Sequence, residues 1–127
     1  MTPTVDQRTA TFAAFSRALF RADVEALYET VTEDFLWSYH DGLGGTKVLN
    51  TAAAVAEHLA EQRSTLSAQR IDEVVFRHLP ALTLLTFSIS ETVRATGERR
   101  EQRGVELYTF KDGKIASKDV YRKPAQP

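Results

Sequence analysis

Residues 103–121 decide the fold, because they read as two β-strands joined by a tight turn. Their sequence is RGVELYTFKDGKIASKDVY. β-Branched and aromatic residues accumulate on both sides of the Asp112-Gly113 turn signal, which is typical of a β-hairpin. A period of two extends back to Ile71, with breaks at 79–81 and 96–98. The sequence therefore predicts four consecutive strands joined by hairpins.

The turn allows two registers of this last hairpin. A two-residue loop, Asp112-Gly113, brings Glu106 opposite Asp119, where the two carboxylates repel each other. A three-residue loop that ends in a left-handed Gly113 sets Glu106 against Lys118 instead. Opposite charges then meet across the strands, which is worth roughly 0.2–1 kcal/mol per pair. We predict this second register.

The second register determines where the side chains of the last strand point. It turns Asp119 and Tyr121 toward the interior and places Arg103 opposite Tyr121 as the nearest basic residue. A buried aspartate needs a partner, so the interpretation that we favour is a structural hydrogen bond from Arg103 or Tyr121 to Asp119. The sharper alternative is a polar cluster at the floor of a ligand pocket, in which Asp119 serves as a general base.

The N-terminal part reads as two helices. Phe12, Phe15 and Leu19 recur at helical spacing behind a capping box, which Thr4 and Gln7 form. A second, short helix begins after a further capping residue, Asp23. These two helices come before the first strand.

The first strand and a third helix follow. Residues 35–39, FLWSY, read as a strand, and the glycine-rich segment 41–45 reads as a flexible loop at the rim of a pocket. Thr51 or Asn50 is expected to cap the third helix. Helices first and an antiparallel meander afterwards predict an α+β fold rather than a doubly wound parallel sheet. Residues 123–127 read as a tail.

Composition excludes several classes of function. The 127 residues carry 16 basic and 17 acidic side chains, so no long-range field favours nucleic acid or an anionic membrane. No segment approaches about 18 uninterrupted apolar residues, and the N-terminus lacks a signal-peptide pattern. The chain has no cysteine, which favours a reducing, cytoplasmic location. We expect one soluble domain over residues 1–127.

No motif indicates a metal or a cofactor. His40, His58 and His78 are widely separated, and none belongs to a His-Glu-x-x-His pattern. The loop 41–45 does not match Gly-x-Gly-x-x-Gly. The serines have no nucleophile-elbow context. We expect no metal site and no cofactor.

The order of the elements resembles the nuclear transport factor 2-like superfamily, and within it the SnoaL-like proteins related to ketosteroid isomerases and polyketide cyclases. The resemblance covers almost the whole chain and is carried by residues 31–35 (VTEDF), 103–110, 112–115 and 119–121. It implies a cystatin-like, curved antiparallel sheet backed by N-terminal helices, cone-shaped and with an internal pocket. It also implies a homodimer, with the outer face of the sheet as a possible interface.

This sequence does not preserve a complete set of the catalytic residues of the enzymes that it resembles. Ketosteroid isomerases have an aspartate base near the end of the first strand, and here the matching position is Tyr39, next to His40 and Asp41. Epoxide hydrolases of the family have a carboxylate on the last strand, which Asp119 resembles with an offset of one residue. Their other charged residues, which would fall near Thr92 and Arg94, are not preserved.

We therefore predict a SnoaL-like protein that binds a small hydrophobic or aromatic metabolite, with acid–base isomerase, cyclase or hydrolase activity as the enzymatic option. The candidate catalytic residues are Asp119, Tyr39 and Arg103. The candidate ligand-binding residues are Trp37, Leu59, His58, Phe87 and Tyr121. The alternative is a non-catalytic ligand-binding or dimeric assembly domain, whose sign would be a closed interior with Asp119 tied to Arg103.

Overall fold

A computed structural model describes residues 2–42 and 44–125, and these residues form three helices and six strands. The helices are α1 (Val5–Arg21), α2 (Val24–Tyr28) and α3 (Ala52–Thr65). The strands are β1 (Val31–His40), β2 (Thr46–Leu49), β3 (Leu66–His78), β4 (Thr83–Val93), β5 (Arg99–Lys111) and β6 (Lys114–Pro124). This confirms the predicted α+β class and the four consecutive strands. β2 was not predicted.

The predicted caps begin the helices. Thr4 and Gln7 form the reciprocal capping box of α1, the Asp23 carboxylate accepts from the amide of Ala26 at 3.1 Å, and Thr51 caps α3. Each cap satisfies an amide that the first helical turn leaves without an internal partner. Local sequence therefore sets where the helices start.

Arg8 holds α1 against the turn between β3 and β4. Its buried guanidinium donates to the carbonyls of Leu79 at 2.7 Å and Pro80 at 3.0 Å, and to the hydroxyl of Thr83 at 3.1 Å. Charge-assisted bonds of this kind are stronger than neutral ones. They fix the helix across the open end of the sheet.

The sheet is curved and mixed. Its strand order is β2-β1-β6-β5-β4-β3. The pair β1 and β6 is parallel, whereas the other four pairs are antiparallel. The prediction of an antiparallel sheet therefore needs this correction at the point where the first strand meets the last. β3 forms the far edge and continues directly from α3.

The last hairpin differs from the predicted register. The turn is the two-residue loop Asp112-Gly113, with φ of 53° and 79°, and Lys111 pairs with Lys114. The three-residue loop is wrong, because two left-handed residues in a row form a turn whose twist matches that of the flanking strands.

A bulge on β6 then shifts the pairing again. Thr109 pairs with Ser117 but its neighbour Phe110 pairs with Ile115, so one residue of β6 is extra. Beyond the bulge Leu107 lies opposite Asp119. Because one residue reverses the faces of a strand, the inner face receives a set that the predicted register placed outside. This set is Lys118, Val120 and Arg122.

The core lies between the helices and the inner face of the sheet. Phe15, Leu27, Phe35 and Ile115 are almost completely buried there. Within the described residues, no helix is both long and apolar enough to cross a membrane.

Two predicted segments fall partly outside the described residues. The loop 41–45 includes Leu43, and the tail 123–127 includes Gln126 and Pro127, none of which the structure describes. Lys123 and Pro124 belong to β6 rather than to a tail.

Candidate ligand-binding site

A cavity of about 710 Å³ lies between the helices and the inner face of the sheet. Side chains of α1, α3, β1, β3, β5 and β6 line it, together with Leu85 of β4. The cavity agrees with the internal pocket that the family resemblance implies, and its lining includes residues of the first strand, the third helix and the last two strands. A volume of this size is in the range of small-molecule sites.

One wall is aromatic and aliphatic. The candidate site residues Trp37, Tyr39 and Leu59 line the cavity, and Phe15 and Val120 extend the apolar surface. Trp37 and Tyr39 lie two residues apart on β1, so both point to the same face. Burial raises the pKa of Tyr39, and the nearby Arg122 opposes that shift. Tyr39 therefore keeps its hydroxyl proton at neutral pH.

The floor carries a buried group of three polar side chains, Glu106, Tyr108 and Lys118, all of which line the cavity. The Tyr108 hydroxyl donates a short hydrogen bond to the Glu106 carboxylate. The Lys118 ammonium lies 3.9 Å from the same carboxylate. The Lys118 side chain is 4% exposed and that of Glu106 is 12% exposed, so this ion pair is shielded from water.

Aromatic rings surround the Lys118 ammonium. It lies 4.2 Å from the ring centre of Trp37 and 5.2 Å from that of Phe15, within the range of a cation–π interaction. Burial lowers the pKa of Lys118, whereas the carboxylate of Glu106 acts to raise it. Burial, and then Glu106, raises the pKa of Tyr108 well above its ordinary value. Tyr108 is therefore a hydrogen-bond donor at neutral pH.

A second charged group lies further along β6. The Arg122 guanidinium donates to the Glu91 carboxylate at 3.2 Å, and the Gln69 amide donates to the same carboxylate at 2.7 Å. The guanidinium also lies 5.0 Å from the ring centre of Tyr39. Its buried Nε atom has no hydrogen-bond partner among the described residues. Arg122 lines the cavity, so its positive charge acts on a ligand that enters.

His58 lies behind the wall rather than in it. Its ring is 5.3 Å from the ring centres of both Trp37 and Tyr39. Both ring nitrogens are buried and lack partners within the part of the chain that the structure describes. Burial, with a smaller contribution from Lys47, lowers the pKa of His58 to about 4. A neutral His58 at pH 7 therefore supports the two rings of the wall.

Phe87 also points to the inner face but is not part of the cavity lining. It is buried, and its ring centre lies 6.0 Å from the Arg122 guanidinium. Phe87 and His58 were predicted as ligand-binding residues, and both lie behind the residues that line the cavity. Among residues 2–42 and 44–125, no group of three or more His, Asp or Glu side chains is arranged to hold a metal ion.

Asp119, Arg103 and Tyr121 lie outside the cavity. Asp119 and Tyr121 share the outer face of β6, where the Tyr121 hydroxyl donates to Asp119 at 2.7 Å and His40 lies 3.8 Å from the carboxylate. Arg103 is exposed and pairs with Lys123 rather than with Tyr121. The inward placement of Asp119 was wrong because of the bulge. Of the two alternative hydrogen-bond donors to Asp119, Tyr121 rather than Arg103 makes the bond.

The sequence interpretation missed Glu106, Tyr108, Lys118 and Arg122 as site residues. It predicted Glu106 directly opposite Lys118, but Glu106 pairs with Val120 and Lys118 pairs with Tyr108. The ion pair between Glu106 and Lys118 forms diagonally across the strands, inside the molecule. The usable signal was the alternation of Lys118, Val120 and Arg122, which puts all three on one face. Two cationic side chains on either side of a valine normally indicate a solvent-exposed strand. The alternation therefore identifies an inner face only when the register of the strand is known.

The comparisons with known proteins agree with this fold. The chain belongs to the SnoaL-like domain family, whose pattern matches residues 12–118. No curated protein matches it at a significant level.

Solved structures with low sequence identity share the architecture. A nuclear transport factor 2-like protein from Burkholderia xenovorans is 21% identical, with a TM-score of 0.77 over 94% of this chain and 92% of that one. TerC, crystallised with polyporic acid, is 20% identical, with a TM-score of 0.71 over 91% and 90%. A candidate polyketide cyclase from Xanthomonas campestris is 17% identical, with a TM-score of 0.70 over 91% and 90%. At these identities the similarity establishes the fold alone.

Proposed function

We propose that this protein binds a small, largely apolar or aromatic metabolite in its cavity and performs acid–base isomerase- or cyclase-like chemistry on it. The observation that carries the proposal is the cavity of about 710 Å³ with Glu106, Tyr108 and Lys118 together at its floor. An apolar pocket with a few convergent polar groups is the usual form of a small-molecule site. Two structural neighbours support the proposal: TerC was crystallised with polyporic acid, a small organic molecule, and another neighbour is a candidate polyketide cyclase.

Glu106 is the proposed general base and acid. Its carboxylate faces the cavity, and the Tyr108 hydroxyl fixes its orientation. A positioned carboxylate can take a proton from a carbon next to a carbonyl and return it at another position, which contributes typically 10²–10⁴-fold to the rate. Lys118 lies close enough to stabilise the negative charge that develops on the carbonyl oxygen.

The charges of the lining indicate which ligands fit. Among the described residues, the charged side chains of the lining are one carboxylate, Glu106, and four cations, Arg17, Arg63, Lys118 and Arg122. A cavity with an excess of cations attracts anions. The ligand proposed is therefore an apolar or aromatic body that carries an acidic oxygen group, such as an enol, a phenol or a carboxylate. Tyr39 would contact the same oxygen group.

A pocket-filling substitution tests binding. Leu85 lines the cavity, whereas its neighbour Leu84 points to the opposite face of β4. Thermal unfolding of wild type and of both variants would be followed with a panel of aromatic acids, phenols and enols. A bound ligand raises Tm by linkage, and we expect this for wild type and Leu84→Trp but not for Leu85→Trp. Failure of the whole panel, or equal stabilisation of Leu85→Trp, would refute the proposal.

The Glu106→Gln variant distinguishes catalysis from binding without turnover. For a ligand found in the panel, proton NMR in D₂O measures exchange of the acidic C–H protons. We expect wild type to accelerate the exchange and Glu106→Gln to lose at least about 10²-fold of it while still binding the ligand. Asp119→Asn is the matched control and should exchange at the wild-type rate. Ligand binding with no exchange in wild type would favour the non-catalytic alternative.

The described residues do not show the structural feature expected of a non-catalytic domain. A closed interior with Asp119 tied to Arg103 was its expected mark, yet the interior contains a large cavity. Asp119 is bonded to Tyr121 instead.

We further propose a homodimer, for which the resemblance to the family is the motive. Leu36, Val48 and Tyr121 are exposed large apolar side chains on the outer faces of β1, β2 and β6. An apolar surface among polar residues is a frequent interaction site. Light scattering should give twice the mass of the chain, and Tyr121→Glu should shift the mass toward the monomer. A monomer mass for wild type at all concentrations would exclude the dimer.

A further inference from the structure

The Lys118 amine is a buried nucleophile, and the acid–base proposal uses it only for its charge. It lines the cavity and is held between the faces of Trp37 and Phe15. Its distance of 3.9 Å to Glu106 is longer than a hydrogen bond. The amine is therefore near a proton acceptor without being fully engaged by it.

We propose that Lys118 forms a reversible imine with an aldehyde or ketone that enters the cavity on an apolar or aromatic body. This inference rests on the proposed function, because the same cavity must admit the ligand. It adds a covalent step and a substrate class, namely carbonyl compounds. A lysine that is desolvated in an apolar pocket is the kind of amine that performs this chemistry.

Lys118 and Glu106 supply and accept every proton that imine formation needs. The Lys118 ammonium first gives a proton to the Glu106 carboxylate, and the free amine lone pair attacks the carbonyl carbon to form a C–N bond. The carbonyl oxygen takes a proton from the nitrogen and becomes a hydroxyl. Glu106 then protonates this hydroxyl, which leaves as water while the C=N bond forms. The products are a protonated imine, water and the original carboxylate, and no oxidant or reductant is needed.

The surroundings suit both ends of this reaction. Burial in the apolar floor favours the neutral amine that attacks, consistent with the lowered pKa of Lys118. The aromatic faces of Trp37 and Phe15 can then stabilise the cationic imine, which remains paired with Glu106. Tyr108 holds that carboxylate in place throughout.

Reductive trapping tests the inference. Wild type would be incubated with 2-naphthaldehyde and sodium cyanoborohydride, and the adducts would be located by peptide mass mapping. We expect Lys118 to be labelled at least about tenfold faster than the exposed lysines, because its environment favours the free amine. Lys111, Lys114 and Lys123 are exposed and serve as internal controls in the same sample.

Two variants connect the label to the cavity. Lys118→Arg keeps a positive charge but has no primary amine, so the fast adduct should disappear. Leu85→Trp retains Lys118 and blocks access, so labelling of Lys118 should fall to the rate of the exposed lysines. Circular dichroism would verify that both variants are folded. Labelling that is confined to the exposed lysines of wild type, or undiminished labelling of Lys118 in Leu85→Trp, would overturn the inference.

The two experiments distinguish an imine that does not form from a cavity that does not bind the proposed ligands. If aromatic acids or enols stabilise wild type but not Leu85→Trp, while Lys118 stays unlabelled, only the imine is refuted. If no ligand of the panel stabilises the protein, the proposed function is refuted as well.

Discussion

Two tyrosine–carboxylate pairs on neighbouring strands have the same spacing and opposite environments. Tyr108 donates to Glu106 on the inner face of β5, and Tyr121 donates to Asp119 on the outer face of β6. In each pair the acceptor precedes the donor by two residues, which puts both side chains on one face of the strand. Tyr108 is 3% exposed and Tyr121 is 46% exposed. A comparison of the two pairs therefore distinguishes the effect of the two-residue spacing from the effect of burial.

The difference shows that the face of the sheet, rather than the motif, determines the chemistry. At the inner pair water is excluded, so the charges of Glu106 and Lys118 interact strongly. At the outer pair solvent screens the carboxylate and the nearby His40. Burial is the main cause of the raised pKa of Tyr108, whereas the hydrogen bond to Asp119 is the main cause at Tyr121.

The largest expected difference in stability comes from Glu106→Gln. Loss of the carboxylate leaves the Lys118 ammonium buried without a counter-charge, which typically costs about 3–5 kcal/mol. Urea unfolding of the variant at pH 7 measures this loss. The double variant Lys118→Met/Glu106→Gln should recover most of it, because no uncompensated charge then remains. Equal instability of the single and the double variant would contradict a buried ion pair.

An intermediate effect is expected from His58 of α3, which packs behind the inner wall. The pKa of His58 in the folded state is about 4, below the ordinary value of 6.5. Between these pH values only the unfolded chain binds the proton, so stability is complete above pH 6.5 and falls as the pH drops toward 4. The loss is on the order of 2 kcal/mol, after allowance for partial screening.

Paired substitutions assign this acid sensitivity. His58→Phe removes the titrating group and should flatten the difference in unfolding free energy between pH 7 and pH 4.5. His40→Phe is the matched control, since the His40 side chain is 37% exposed, and it should retain the wild-type dependence. Denaturant unfolding at several pH values would measure the pH dependence of the unfolding free energy. A His58→Phe variant that stays as acid-sensitive as wild type would indicate another cause.

The smallest effect is expected from Asp119→Asn. Asp119 is partly exposed and its carboxylate lies 3.8 Å from the His40 ring, and surface changes of this kind are usually within about 0.5 kcal/mol. Urea unfolding beside Glu106→Gln gives the comparison directly. A loss as large as that of Glu106→Gln would mean that the outer pair is a structural centre and that exposure does not separate the two.

The sequence was sufficient for the elements but not for the faces of the last strand. Thr4, Asp23 and Thr51 cap the helices as predicted, because a cap depends on a few adjacent residues. Residues 35–39 also form a strand as predicted. These features are local, so one stretch of chain contains the information.

The inward position of Lys118 could not be predicted in the same way. It depends on a bulge near Ile115, and a bulge is favoured by packing against other strands rather than by its own residues. Ile115 and Val120 are completely or almost completely buried, and only the bulge lets both face inward, since their sequence separation is odd. The burial of two apolar residues thus carries Lys118 into the core, where Glu106 compensates its charge.

The parallel pairing of β1 with β6 has a consequence for how the protein is made. Leu36 pairs with Ser117, so this contact spans most of the chain, whereas the hairpins from β3 to β6 join near neighbours in sequence. Contacts of long sequence separation form slowly because loop closure costs entropy first. During synthesis β1 must wait for the last strand to leave the ribosome. We expect the floor of the cavity, where Trp37 meets Lys118, to be among the last parts of the molecule to assemble.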